Sequence, residues 1–142
     1  INWRFFGSNG LQKYDNRPIL ERFTKCSKDG NHHIKTLFVV NKFLNFRECH
    51  SINTKKNFKI KNTQGDEIIG PFNKNIDLSV IQLNHYKSKT LQEFKFVRQR
   101  GRAGLNNKKQ KKENVISNFK IYDKNEVEDL TAYNFYKKFI KN

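Results

Sequence analysis

Asn84-His85-Tyr86-Lys87-Ser88-Lys89-Thr90 sets one imidazole, two ammonium groups and two hydroxyls in a single short stretch. The chemistry open to such a set is compensation of negative charge, as in an anion site or a metal-phosphate site. Two elements must position it. Leu78-Ser79-Val80-Ile81-Gln82-Leu83 predicts a half-buried strand whose end delivers His85 and Tyr86 to a sheet edge. Ser88 or Thr90 then caps a helix, with Glu93 placed after Thr90 as in a capping box and Leu91, Phe94 and Val97 or Arg98 at helical spacing. The first turn of that helix is expected to offer free backbone N–H groups beside the lysines. The other reading of His85 is a solvated or hydrogen-bonded structural residue, and these residues alone leave both open.

Other chemistry-bearing residues lie earlier. Trp3-Arg4-Phe5-Phe6 reads as the end of a buried strand, and Gly7-Ser8-Asn9-Gly10 as a tight loop. Its glycines permit positive φ, which suits either close approach to a ligand or a plain connector. Pro18 opens a short helix over 19–24, where Glu21 stands between Ile19, Leu20 and Phe23. The Glu21 carboxylate is a general base, or else it pairs with Arg17, Arg22 or Lys25. His32-His33 has no further ligand at metal spacing and reads as a loop pair. Cys26 and Cys49 lack CxxC spacing and read as free thiols, with a disulfide or a zinc site as alternatives.

The totals bound the answer. At 142 residues the chain suffices for one ordinary domain. Hydrophobic residues make up only 35%, so the core must draw on thirteen Phe, five Tyr and one Trp. Lys and Arg exceed Asp and Glu by 29 − 13 = 16, a charge that attracts phosphate as nucleic acid, anionic membrane or nucleotide diphosphate. No stretch approaches a membrane span, and nothing resembles a signal peptide. The chain has no Met and begins with Ile1, so it is expected to be a piece of something larger.

Along the rest of the chain, residues 34–40 read as a strand and 48–51 as a second short one ending near His50. Residues 53–62 suit an edge hairpin protected by lysines, followed by a turn at Gln64-Gly65-Asp66-Glu67. Gly101 and Gly104 would close the helix after His85. Residues 106–114, with Lys108-Lys109-Gln110-Lys111-Lys112, read as a basic linker or an anionic-surface contact. Phe119 to Asp123 reads as extended, and Asn125-Glu126 as the start of a helix with a partly apolar face reaching Phe139 and Ile140.

Taken in order, Trp3-Arg4-Phe5-Phe6-Gly7-Ser8-Asn9-Gly10, Ile19-Leu20-Glu21-Arg22-Phe23-Thr24, Ile34-Lys35-Thr36, Cys49-His50, Asn84-His85-Tyr86-Lys87-Ser88-Lys89, Glu93-Phe94 and Arg100-Gly101 form a pattern. The pattern resembles the C-terminal half of a bacterial-type glycosyltransferase of the family 2 and family 92 kind, built on the GT-A fold. The likeness covers residues 1–104, and Phe119 to Asp129 looks like the Phe-x-x-x-Asp-x-Asn segment that often follows.

The resemblance implies an α/β fold: the C-terminal portion of a GT-A mixed-sheet domain over 1–104, a basic linker over 105–118 and a strand/helix tail over 119–142. It implies transfer of a sugar from a nucleotide diphosphate sugar to a hydroxyl of a glycan acceptor by single displacement, in polysaccharide biosynthesis in the cytoplasm. Peripheral contact with an anionic membrane is a separate expectation, read from the Lys108 to Lys112 run and the final amphipathic helix. Glu21 would be the catalytic base. Gly7, Ser8 and Gly10 would line the donor, Lys87 and Lys89 would neutralise its diphosphate, and His85 would contact the metal, Mn²⁺ or Mg²⁺, or the diphosphate. Trp3 stacks near the acceptor or packs. The family's acidic Asp-x-Asp is not found in this chain and is expected upstream of Ile1 with the nucleotide-binding half, so this piece alone is expected to be inactive. Thr90 stands where the family has Ser. The rival class is a basic nucleic-acid-binding module without catalysis, favoured by the net charge and by Tyr86, Phe94 and Phe96 between cations.

Overall fold

The computed structural model describes residues 1–100 and 112–140. In chain order the elements are β1 (Asn2–Phe5), α1 (Ile19–Arg22), β2 (Lys25–Cys26), β3 (Asn31–Ile34), a 3₁₀ turn (Val40–Lys42), β4 (Phe43–Phe46), β5 (Ile52–Thr54), β6 (Leu83–His85), α2 (Leu91–Arg100), α3 (Lys112–Tyr122), β7 (Val127–Glu128) and α4 (Thr131–Phe139). The fold is mixed α/β with small sheets. It divides into two units, one of Ile1–Arg4 with Asp29–His85, the other of Phe5–Lys28 with Tyr86–Asn142.

In the first unit the three-stranded sheet has the order β3-β1-β6. β1 and β3 are antiparallel, Asn2 opposite Ile34 and Trp3 opposite Asn31, with a register shift between them. Asn2 is buried, and its amide is satisfied accordingly: Nδ2 donates to the Asn31 carbonyl at 3.0 Å, and Oδ1 accepts from Asn73 Nδ2 at 2.9 Å. β4 and β5 form a separate antiparallel hairpin. The Arg47 and Glu48 N–H groups both donate to the Ser51 carbonyl at 3.2 Å, which makes 47–51 a turn instead of the expected short strand.

The run 34–40 is a strand only at Ile34; Lys35 still exchanges backbone hydrogen bonds with Ile1 at 2.9 and 2.8 Å, but beyond it Leu37, Val39 and Val40 are exposed. Strand propensity expresses fit to a half-buried pleated surface, and among the described residues no strand pairs with 36–39. The strand expected over 78–83 is shortened for a local reason. Asp77 Oδ1 accepts from both Ser79 N (2.9 Å) and Ser79 Oγ (2.6 Å), an Asx turn that bends the chain, so pairing starts only at Leu83.

In the second unit residues 5–7 and β7 hydrogen-bond to β2: Ser27 N–H donates to Phe5 O at 2.8 Å and Gly7 N–H to Lys25 O at 2.9 Å, while β7 pairs antiparallel with Lys25 and Cys26. Phe6, Phe23 and Cys26 are buried there, and the Phe6 ring lies 4.9 Å from that of Tyr86. α2 and α3 pack through Phe94, Val115 and Phe119, the two Phe rings edge to face at 5.4 Å.

Val115, Phe119 and Tyr122 recur at helical spacing, and that common face holds 112–122 as a helix. This corrects the linker expected to 118 and the extended segment expected at 119. A helix was expected from Asn125, but 127–128 is a strand and the helix starts at Thr131, whose N–H donates to Asp129 Oδ1 at 3.0 Å. The closing of α2 by Gly101 and Gly104, and the basic run up to residue 111, lie outside the described residues. Cys26 and Cys49 are both free thiols, the first buried and the second exposed.

The capping box at the start of α2 is present and carries a buried cation. Thr90 N (3.2 Å) and Oγ1 (2.9 Å) donate to Glu93 Oε2, and Glu93 N donates back to Thr90 Oγ1 at 3.2 Å. Arg22 Nη1, on a side chain only 5% exposed, donates to the same carboxylate at 3.0 Å. Burial works to raise the Glu93 pKa, but the hydrogen bonds from Arg22 and Thr90 outweigh it and hold the group below its ordinary value of 4.5. A depressed carboxylate stabilises the fold above its unfolded pKa and loses that contribution as pH falls through the folded value. Glu93→Gln is expected to cost about 2–4 kcal/mol at neutral pH in urea unfolding. The gap between wild type and variant should narrow as the pH drops below about 4.5; a gap that stays constant would show that the carboxylate charge plays no part.

Candidate functional site

Of the residues that the resemblance assigns to a site, Gly7, Ser8, Gly10, Glu21, Lys87 and Lys89 belong to the second unit and His85 to the first. β6 ends at His85, whose ring meets Trp3 edge-on with centroids 4.4 Å apart. Trp3 is buried, which favours packing of the two roles open to it. His33 stacks on the same indole at 5.2 Å and His50 approaches it at 5.0 Å, while His32 stacks on His33 at 4.7 Å. Three of the four histidines therefore meet one tryptophan, and the fourth, His32, stacks behind His33. His50 Nδ1 lies 3.0 Å from the Ile34 carbonyl oxygen, which only accepts, so that nitrogen carries the proton. Nothing in the linear spacing of 32, 33, 50 and 85 announces this cluster; sheet pairing and the hairpin turn create it. Among the described residues no group of three or more His, Cys, Asp or Glu side chains is arranged to hold a metal ion.

In the second unit the Gly7–Gly10 loop is held by the segment after α3. Ser8 N–H and Oγ donate to the Asp123 carboxylate at 2.5 and 3.1 Å, and Asn9 N–H donates to Asn125 Oδ1 at 2.8 Å. Asn125 Nδ2 donates to Asp123 Oδ1 at 2.9 Å, which fixes the two acceptors relative to each other. Asn9 reaches the other way, its Nδ2 donating to Thr24 Oγ1 and its Oδ1 accepting from Lys25 N–H, both at 2.9 Å. Ser88 is fully buried, and its hydroxyl is 3.0 Å from the Phe6 carbonyl and 3.4 Å from that of Tyr122. Asp123 and Asn125 have no role assigned from sequence beyond the Phe-x-x-x-Asp-x-Asn spacing, and that spacing is the signal for them.

The lysines flank this network. Lys87 Nζ lies 3.5 Å from the centroid of the Tyr122 ring, a cation–π contact, and Lys89 takes the left-handed conformation at φ 50°. The backbone amides expected to be free at the start of α2 are committed: Thr90 and Glu93 N–H to the capping box, and Gln92 N–H to the Gln12 carbonyl at 3.0 Å. With the Glu93 carboxylate already at this helix end, the charge available to an anion is that of the lysine ammonium groups. Glu21 is half-buried in the first turn of α1, which packs against α4. Two of the cations offered as its partners are engaged with other carboxylates, Arg17 with Asp15 at 2.6 Å and Arg22 with Glu93.

The two loop glycines act differently. A Cβ on Gly7 would overlap Asn125 Oδ1 and the Lys124 carbonyl oxygen, whereas Gly10 has φ 82° and open space around it. Gly7→Ala is expected to lose about 2 kcal/mol or more by overpacking, and Gly10→Ala about 1 kcal/mol by backbone strain alone. Equal losses in urea unfolding would show that the Gly7 approach to Asn125 does not matter.

No family model, no curated protein sequence and no solved structure matches this chain.

Proposed function

We propose that the chain is the C-terminal part of a GT-A type glycosyltransferase domain that transfers a sugar from a nucleotide diphosphate sugar to a hydroxyl of a glycan acceptor by single displacement. One observation carries the reading: motif residues far apart in sequence, Ser8, Asn9, Thr24, Asp123 and Asn125, interlock in one hydrogen-bonded network, and Ser88 bonds the Phe6 carbonyl next to it. An ordered set of short motifs gains weight when its members depend on one another physically.

In this mechanism the Glu21 carboxylate removes the acceptor proton as the hydroxyl attacks the anomeric carbon and the bond to the diphosphate breaks. Lys87 and Lys89 stabilise the charge that develops on the departing diphosphate. The Gly7, Ser8 and Gly10 backbone lines the donor sugar, the Ser8 hydroxyl being committed to Asp123. The described residues do not form a site for the implied Mn²⁺ or Mg²⁺ by themselves. The proposed setting is the cytoplasm, where sugar nucleotides are donors for polysaccharide synthesis. Among the described residues no helix is long and apolar enough to cross a membrane.

Transfer from a panel of labelled nucleotide diphosphate sugars, assayed with the full-length protein, tests the reading. Glu21→Gln is expected to lower kcat by about 100-fold or more with little change in donor KM, and Lys87→Ala with Lys89→Ala to raise donor KM. A Glu21→Gln enzyme at wild-type turnover removes Glu21 as the base. Absence of transfer from every donor, together with tight, steeply salt-dependent nucleic-acid binding, would replace this reading with the nucleic-acid one.

A further inference from the structure

Leu37, Val39, Val40, Leu44 and Phe46 of the first unit are 76, 66, 80, 57 and 71% exposed, all within ten consecutive residues. An exposed apolar group of this density on a folded chain marks a surface that meets something other than water. Its aromatic part is ordered: the Phe38 and Phe43 rings stack at 4.9 Å, and Phe43 meets Phe46 at 4.9 Å. Lys35 Nζ donates to the Cys49 carbonyl at 2.5 Å and Thr36 Oγ1 to that of His50 at 3.0 Å, which binds the segment leading into Leu37 to the β4–β5 turn. The apolar residues thus belong to one fixed feature of the fold.

The same feature is strongly basic. Residues 42–61 contain Lys42, Arg47, Lys55, Lys56, Lys59 and Lys61 and one acidic side chain, Glu48, with Lys59 paired to Glu67 at 2.6 Å. Lys42 Nζ sits 4.2 Å from the centroid of the Phe58 ring, so cations and apolar groups share this surface. Lys55 and Lys56 are exposed at the end of β5.

We propose that the β4–β5 hairpin with the 37–42 segment is a docking surface for an anionic lipid membrane. Lipid headgroups match the cations, and the acyl boundary just beneath them takes the Leu, Val and Phe side chains. A nucleic acid would answer the charge but leave Leu37, Val39, Val40 and Leu44 unsatisfied, because branched aliphatic side chains offer no stacking face to a base. The inference stands apart from the transferase reading, since it uses none of the residues assigned to chemistry.

Co-sedimentation of the full-length protein with phosphatidylcholine vesicles, with and without phosphatidylglycerol, tests it. Binding to the phosphatidylglycerol vesicles is expected, weakening as salt is raised. Val40→Asp with Phe46→Asp should lower the partition coefficient about tenfold, and Lys55→Glu with Lys56→Glu by a similar factor. All four positions are solvent-facing, so circular dichroism should be unchanged. The proposal is overturned if the wild type stays in the supernatant with both vesicle types, or if both double variants sediment like wild type. It is equally overturned if Val40→Asp with Phe46→Asp dissociates a lipid-free dimer, which would make the face a self-interface. Loss of binding only on Phe135→Asp with Phe139→Asp would move the contact to α4 and also overturn it.

Discussion

The second unit depends on one constraint: the Asp123 carboxylate must find donors after α3 ends, and it finds them in the loop after β1. Ser8 supplies its N–H and hydroxyl, and Asn125 supplies an amide hydrogen to the same carboxylate. The half-buried carboxylate takes two donors from Ser8 and one from Asn125, and these bonds select a single loop conformation. Gly7 follows from it, because a side chain there would collide with Asn125 and Lys124. Ser88 follows too, its hydroxyl spanning the distance to the Phe6 carbonyl.

Around this polar lock the interior is aromatic because little else is available. With a mean hydropathy of −0.90 the chain cannot build a broad aliphatic core, and Phe6, Phe23, Phe94 and Phe119 carry the burial. The excess of cations is partly absorbed by the same rings: Arg22 packs 4.7 Å from the Phe23 centroid, Arg98 at the same distance from Phe94, and Lys87 over Tyr122. Cation–π contacts of this kind let a strongly basic chain fold without matching every charge to a carboxylate. The remaining positive charge stays on the surface, where it governs encounters with phosphate-bearing partners.

The residues that make the motif recognisable and the residues proposed for chemistry are different sets with a shared scaffold. Arg22, Thr90, Glu93, Asp123 and Asn125 are engaged with each other or with the loop, and they fix the backbone. Glu21, Lys87 and Lys89 lie beside them in sequence and take their placement from it. His85 is held by a different device, the Trp3 side chain on the central strand, with His33 and His50 against the same ring.

Local signals determined what depends on neighbours a few residues apart. The capping box at Thr90 and Glu93, the helix at Leu91–Arg100 and the loop at Gly7 to Gly10 all follow from spacing and residue type. Tertiary structure decided the rest. Residues 119–122 are helical because Phe94 offers them an apolar face, 36–39 join no strand among the described residues, and Arg22 pairs with Glu93 across 71 positions. The histidine cluster and the Ser8–Asp123 contact, the latter spanning 115 residues, exist only once the chain has closed on itself. A partner supplied by another segment changes the energy of a residue by more than its own propensity does, and the linear order of residues does not name that partner.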